Sequence, residues 1–118
     1  MIDPRRGEVW FVRFDPSVGD EIRKTRPAIV LSASEFGILN LRYVVPLTDW
    51  KDRYELYPWI TPVLPTSLNG LSKPSAADAF QSKSLSLERF EKKIGAVTQE
   101  QLREIAKTVG LCIGLASV

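Results

Sequence analysis

Apolar and polar positions alternate with a period of about two through most of this chain and switch to a period of about 3.6 at its end, so strands are predicted first and a helix last. Gly7 to Phe14 is the first predicted strand, rich in β-branched and aromatic residues. Trp10, Val12 and Phe14 share one of its faces, with Val9 and Phe11 opposite. Both faces are apolar, as in a small closed barrel. Asp15-Pro16 ends the strand, and a polar loop longer than a tight hairpin needs runs through Thr25. Loops of that kind in compact domains are functional or disordered. Pro27 to Ala33 is the second strand, an almost unbroken apolar run expected to be buried on both faces. Leu41 to Leu47 is the third, in which Pro46 implies an edge or a strand end. Tyr57 to Val63 resembles a fourth, demoted to an edge or irregular strand by Pro58 and Pro62.

Residues 64–75 are turn-rich, with Asn69-Gly70 the clearest turn signal. Ala76 to Phe80 and Ser82 to Leu87 read as two short strands or one strand with a bend. Leu87 to Phe90 reads as a single helical turn, and Lys92 to Val97 as the last strand. Thr98 with Gln101 forms a capping box ahead of a helix. Leu102, Ile105, Ala106, Val109, Cys112, Ile113 and Ala116 follow its stripe, and Leu111 and Leu115 widen the apolar face. That face packs on the barrel and is also wide enough to meet a second subunit. Gly110 and Gly114 weaken the helix, so either it frays there or something packs close. The expected architecture is one domain over residues 1–118, mainly β with a C-terminal helix, built as a small β-barrel.

Composition narrows the function more than the fold. The chain has 118 residues, 25% of them charged, and a net charge of +2, too small by itself to argue for nucleic acid. No stretch has the length of a membrane span and the N-terminus lacks an apolar signal region, so a cytoplasmic protein with no membrane partner is expected. Cys112 stands alone among apolar residues and reads as a buried small hydrophobe. There is no histidine. That removes the Ser-His-Asp triad, the Cys-His dyad, a zinc site and the two-histidine ribonuclease mechanism.

Chemistry must therefore come from other side chains. Arg26 precedes Pro27, which fixes it at a strand entrance, and Thr48 follows the third strand. If these strands pair antiparallel, both residues sit at one rim, where a guanidinium and a hydroxyl suit an anion. By spacing alone the plainer reading is a surface arginine and a capping threonine. Glu21 lies in the opening loop beside Arg23 and Lys24 and reads equally as a partner for those cations. Gln81, Lys83 and Ser84 form a third group, with alternation placing Gln81 and Lys83 on one strand face. Trp50, Tyr54, Tyr57 and Trp59 crowd one region, as core or as stacking surface. Asp49 and Asp52 alone make no metal site.

The order of motifs resembles the MazF/PemK family of toxin ribonucleases. The series runs Arg6-Gly7-Glu8-Val9-Trp10, Asp15-Pro16, Gly19-x-Glu21, Arg26-Pro27-Ala28-Ile29-Val30-Leu31-Ser32, Val45-Pro46-Leu47-Thr48, Ala79-Phe80-Gln81-Ser82-Lys83-Ser84-Leu85 and Lys93-Ile94-Gly95. The resemblance implies an SH3-like barrel of the MazF/PemK/CcdB superfold, acting as a homodimer. It implies cleavage of single-stranded RNA without metal or cofactor, leaving a cyclic 2′,3′-phosphate or 3′-phosphate and a 5′-hydroxyl, and inhibition by a cognate antitoxin. Catalytic positions carry over to Arg26, Thr48 and Glu21, with RNA contacts expected from Arg23, Lys24, Asp49, Gln81, Lys83 and Ser84. The alternative on the same fold is a non-enzymatic, CcdB-like inhibitor that binds gyrase. A C-terminal tryptophan is important in those proteins, and the tail from Gly114 to Val118 has none.

Overall fold

The computed structural model describes residues 2–115. Seven antiparallel strands are followed by one helix: β1 Glu8–Arg13, β2 Thr25–Val30, β3 Leu41–Asp49, β4 Ile60–Val63, β5 Ser75–Asp78, β6 Lys83–Ser86, β7 Phe90–Ala96 and α1 Gln99–Cys112. They lie in the order β4-β5-β3-β2-β1-β7, with β6 on β3. This is the expected SH3-like small barrel with a C-terminal helix, formed as a curled sheet whose ends do not join.

The alternation in β1 divides the core. Trp10, Val12 and Phe14 pack with Ile22, Val30, Val44, Leu85 and Phe90, while Val9 joins Ile29, Val45, Leu47 and the helix residues Leu102, Ile105 and Val109. One helix can cover only one face, so the sheet must wrap over the other. Two register shifts where β1 meets β7 help it do so, because bulges bend a strand and increase its twist.

Several boundaries move. The second strand begins at Thr25, two residues ahead of Pro27, and places Arg26 inside the ladder opposite Val12. The fourth keeps only Ile60–Val63 and lies at an edge, as its prolines imply. Pro46 was expected at an edge or strand end, yet it is buried inside nine-residue β3, near the middle of the sheet. The ladder explains this. The Tyr43 carbonyl accepts from the Leu31 amide just past the end of β2, so alternation turns the backbone of Pro46 toward the opposite edge of β3. There β6 pairs up to Val44 and β5 from Leu47, with the 3-10 turn Ala79–Gln81 between them. Proline meets a step in the ladder where no N–H is required.

The capping box of Thr98 and Gln101 forms as read. The helix passes through buried Gly110 and ends at Cys112, where Gly114 takes φ +77° and the Leu115 amide bonds back to the Gly110 carbonyl. Ile113, expected on the apolar stripe, is therefore off the helix and 72% exposed. Ala116 lies outside the described residues.

Candidate active site

The β2–β3 register sets Ala28 opposite Pro46, and carried two residues further it sets Arg26 opposite Thr48. Both line one cavity of about 210 Å³, together with Phe11, Asp49 and Lys73. Alternation turns Phe11 away from the Trp10 cluster and leaves it half-buried at this cavity. Arg26 is also half-buried, with its Nε donating to the Arg23 carbonyl at 3.1 Å. That single bond fixes the guanidinium at its root, and among the described residues no protein acceptor takes its Nη groups. The Thr48 hydroxyl is likewise without a protein partner among the described residues. Two sets of donors thus face one concavity, an arrangement able to hold a phosphate.

Residues 70–73 of the turn-rich segment form another wall of that cavity. Asn69, wholly buried, builds the turn: its Nδ2 donates to the Leu64 carbonyl, and its Oδ1 accepts from the amides of Thr66 and Leu71. Gly70 has φ +70° and lies so close to β7 that a Cβ there would stand 2.0 Å from the Ile94 carbonyl oxygen. Lys73, carried by this turn, sets its ammonium 3.1 Å from the Asp49 carboxylate. The cavity therefore holds two cations and one carboxylate. Lys73 is the site-lining residue that strand reading missed; Asn69-Gly70 signalled a turn but not the strand it would pack against.

The loop from Phe14 to Thr25 is braced rather than loose. Ser17 Oγ donates its one proton to the Ile22 carbonyl at 2.6 Å, with the Phe14 carbonyl also within 3.1 Å, and Arg23 Nη2 donates to the Gly19 carbonyl. Ile22 is buried in the barrel interior. Glu21 does not join Arg26: its Oε1 accepts from the Val18 amide at 2.6 Å, and it lines a different cavity with Phe80, Ser82 and Lys83. Arg23 and Lys24 are exposed on the loop and outside the Arg26 cavity.

Gln81 and Lys83 were expected side by side on a strand face. Gln81 instead closes the 3-10 turn, and only Lys83 begins β6, with exposed Ser84 on the strand's other face. The turn starts at Asp78, whose carboxylate accepts from the Phe80 amide; burial raises its pKa, with the Phe80 and Gln81 hydrogen bonds opposing. The four aromatic residues form one continuous run, ending with Tyr57 stacked on Trp59 at 4.8 Å. Beyond Trp59 lie Phe80, Leu111 and Cys112 around a shallow apolar cavity. Among the described residues, no helix is long and apolar enough to cross a membrane.

Comparison with known proteins agrees along the chain. Residues 5–113 match the family described as PemK-like, MazF-like toxin of type II toxin-antitoxin system. Endoribonuclease MazF9 of Mycobacterium tuberculosis is 32% identical, covering 96% of this chain and 98% of that protein. Endoribonuclease PemK of Escherichia coli is 40% identical over a shorter stretch, 40% of this chain and 36% of that protein. The crystal structure of MazF from Deinococcus radiodurans superposes with a TM-score of 0.81 at 27% identity, covering 97% of this chain and 99% of that one. A MazE-MazF structure from the same organism gives a TM-score of 0.74 at 27% identity, covering 98% of this chain and 100% of that one. The chain belongs to the PemK-like, MazF-like toxin family of type II toxin–antitoxin systems.

Proposed function

We propose that this protein is a sequence-specific, metal-independent endoribonuclease that cuts single-stranded RNA and is restrained by a cognate antitoxin. The reading rests on one observation above the others: Arg26 and Thr48 aim unused donors into a single cavity. In-line attack by the 2′-oxygen on the adjacent phosphorus forms the 2′,3′-cyclic ester as the bond to the 5′-oxygen breaks. Charge grows on the non-bridging oxygens, where the Arg26 guanidinium and the Thr48 hydroxyl stabilise it; donors oriented in advance supply much of enzymatic rate. The leaving 5′-oxygen is protonated from Arg26 or solvent. Arginine holds its own proton too tightly to serve readily as the base, and a carboxylate is the easier acceptor. Glu21, or a water it orients, fills that role. Arg23, Lys24, Asp49, Lys83 and Ser84 line the RNA path as contacts.

The same proposal includes a homodimer. Trp59 and Phe80 lie with Leu111 and Cys112 at the end of α1, where Ile113 is also exposed, a face suited to a second copy. Incubation with a long RNA in chelator, followed by mapping of cut ends, tests the activity. The wild type should cut at a short recurring motif, leaving 5′-hydroxyl ends, and Arg26→Ala should lose about 100-fold or more in rate. No cutting by the wild type, or equal cutting by Arg26→Ala, would overturn the reading and leave a protein-binding toxin of the gyrase-inhibitor kind.

A further inference from the structure

Gln81 has an unusual set of partners. Its Nε2 donates to the Asp20 carbonyl at 3.3 Å, and its Oε1 accepts from the Ile22 amide at 2.5 Å. Those two backbone groups belong to the peptide units immediately before and after Glu21. A side chain about 60 residues away in sequence therefore grips the backbone on both sides of one loop residue. The amide orientation is determined by chemistry: Ile22 N–H needs an acceptor and Asp20 C=O needs a donor, so only one placement of oxygen and nitrogen satisfies both. We infer that Gln81 is the positioning residue that sets Glu21 for catalysis, and that it does not itself read RNA. The inference rests on the role proposed above for Glu21.

The surroundings explain why the grip holds. Gln81 is half-buried at the end of a 3-10 turn that the Asp78 carboxylate caps, so its own backbone is fixed. On the loop side, Ile22 is anchored in the barrel interior and its carbonyl accepts from Ser17. Glu21 lies between these two anchored elements, its carboxylate accepting from the Val18 amide, and lines one cavity with Lys83 and Ser82. The carbonyl oxygen and one N–H that a glutamine would pair to a base edge are held by the loop, so turning the amide to present both to RNA would loosen the grip on either side of Glu21.

Two variants separate the roles. Gln81→Met keeps length but removes both hydrogen bonds; Gln81→Glu keeps the acceptor for Ile22 and loses the donor to Asp20. Hydrogen exchange at the Ile22 amide should rise by about tenfold or more in Gln81→Met while the Val9 and Ile29 amides keep their protection, because opening becomes local. Single-turnover cleavage should fall by about 10–100-fold, and the same substitution in a Glu21→Gln background should cost little more, since two residues acting as a unit are not additive. Affinity for an RNA carrying a 2′-deoxy group at the scissile position should change less than twofold, and Gln81→Glu should fall between wild type and Gln81→Met. Additive losses in the double variant, or a tenfold weaker uncleavable complex with cleavage rate kept, would make Gln81 an RNA contact and overturn the inference. The exchange measurement needs no activity, so it still tests the grip if the nuclease reading fails in the Arg26→Ala comparison.

Discussion

Asn69→Ala is the sharpest test of how the wall of the Arg26 cavity is held. The substitution removes one donor and one doubly used acceptor from a fully buried side chain. It strands the Leu64 carbonyl and the Thr66 and Leu71 amides, whose bonds to Asn69 measure 2.9, 3.1 and 3.0 Å. A buried polar group left without its partner costs about 1–3 kcal/mol. Three such groups set an upper bound, but they lie only part-buried, and a loosened turn can hydrate some of them. The expected loss is about 2–4 kcal/mol.

Urea unfolding at fixed protein concentration measures this directly. With a slope of about 2 kcal/mol per molar for a chain of this size, the midpoint should drop by about 1–2 M. The turn leans on β7, where the Ala96 amide bonds to the Leu68 carbonyl, so its loosening also frees Lys73 and Ser72 from the cavity. Cleavage should therefore lose apparent affinity for RNA before it loses maximal rate. A variant within about 0.5 kcal/mol of wild type, the range of ordinary surface substitutions, would refute the claim that Asn69 organises the wall.

Three further outcomes follow from the same geometry. Burial raises the pKa of Glu8, but bonds from Lys93, Trp10 and the Arg5 amide outweigh it and hold the carboxyl below its ordinary 4.5; its stabilisation is present above that range and lost as pH falls through the folded value. Glu8→Gln should thus cost about 1 kcal/mol near neutral pH and nothing measurable in acid-unfolding comparisons below the carboxylate range; an equal deficit at both ends would contradict it. Burial, and secondarily Asp78, push the Cys112 thiol upward, so it should alkylate with iodoacetamide more slowly at pH 8 than free cysteine, and a faster reaction would count against that environment. Phe80, 69% exposed, should be central to self-association: the wild type should sediment as a dimer and Phe80→Glu as a monomer, and a variant that stays dimeric would move the interface elsewhere.

Where the sequence was readable, one local rule was enough. The division of β1 into two faces and the capping box at Thr98 each follow from residues a few positions apart, and both appear as read. Arg26 and Thr48 met in one cavity because an antiparallel register was assumed and the ladder supplies it. Gln81 departed from its expected place because alternation was extended through Ala79–Gln81, where the chain turns instead. Lys73 was missed because its position depends on Gly70 lying against Ile94, a contact between segments that no periodicity links. The readable features are local; the rest depend on which distant backbones touch.

Pro46 and Gln81 belong to one irregularity, and it has a functional consequence. From Val44 to Leu47, β3 advances three residues, while the segment facing it advances six, from Lys83 back to Ala77. The surplus cannot stay in the ladder, so it leaves as a 3-10 turn. On the β3 side that removes the demand for a backbone N–H, which is what proline lacks. On the other side it carries Phe80 and Gln81 out of the strand, one onto the apolar surface and the other against the opening loop. A regular hairpin in this place would keep the residue at position 81 on a strand face, away from the backbone on either side of Glu21. The departure from regular pairing is thus the means by which the sheet holds the loop.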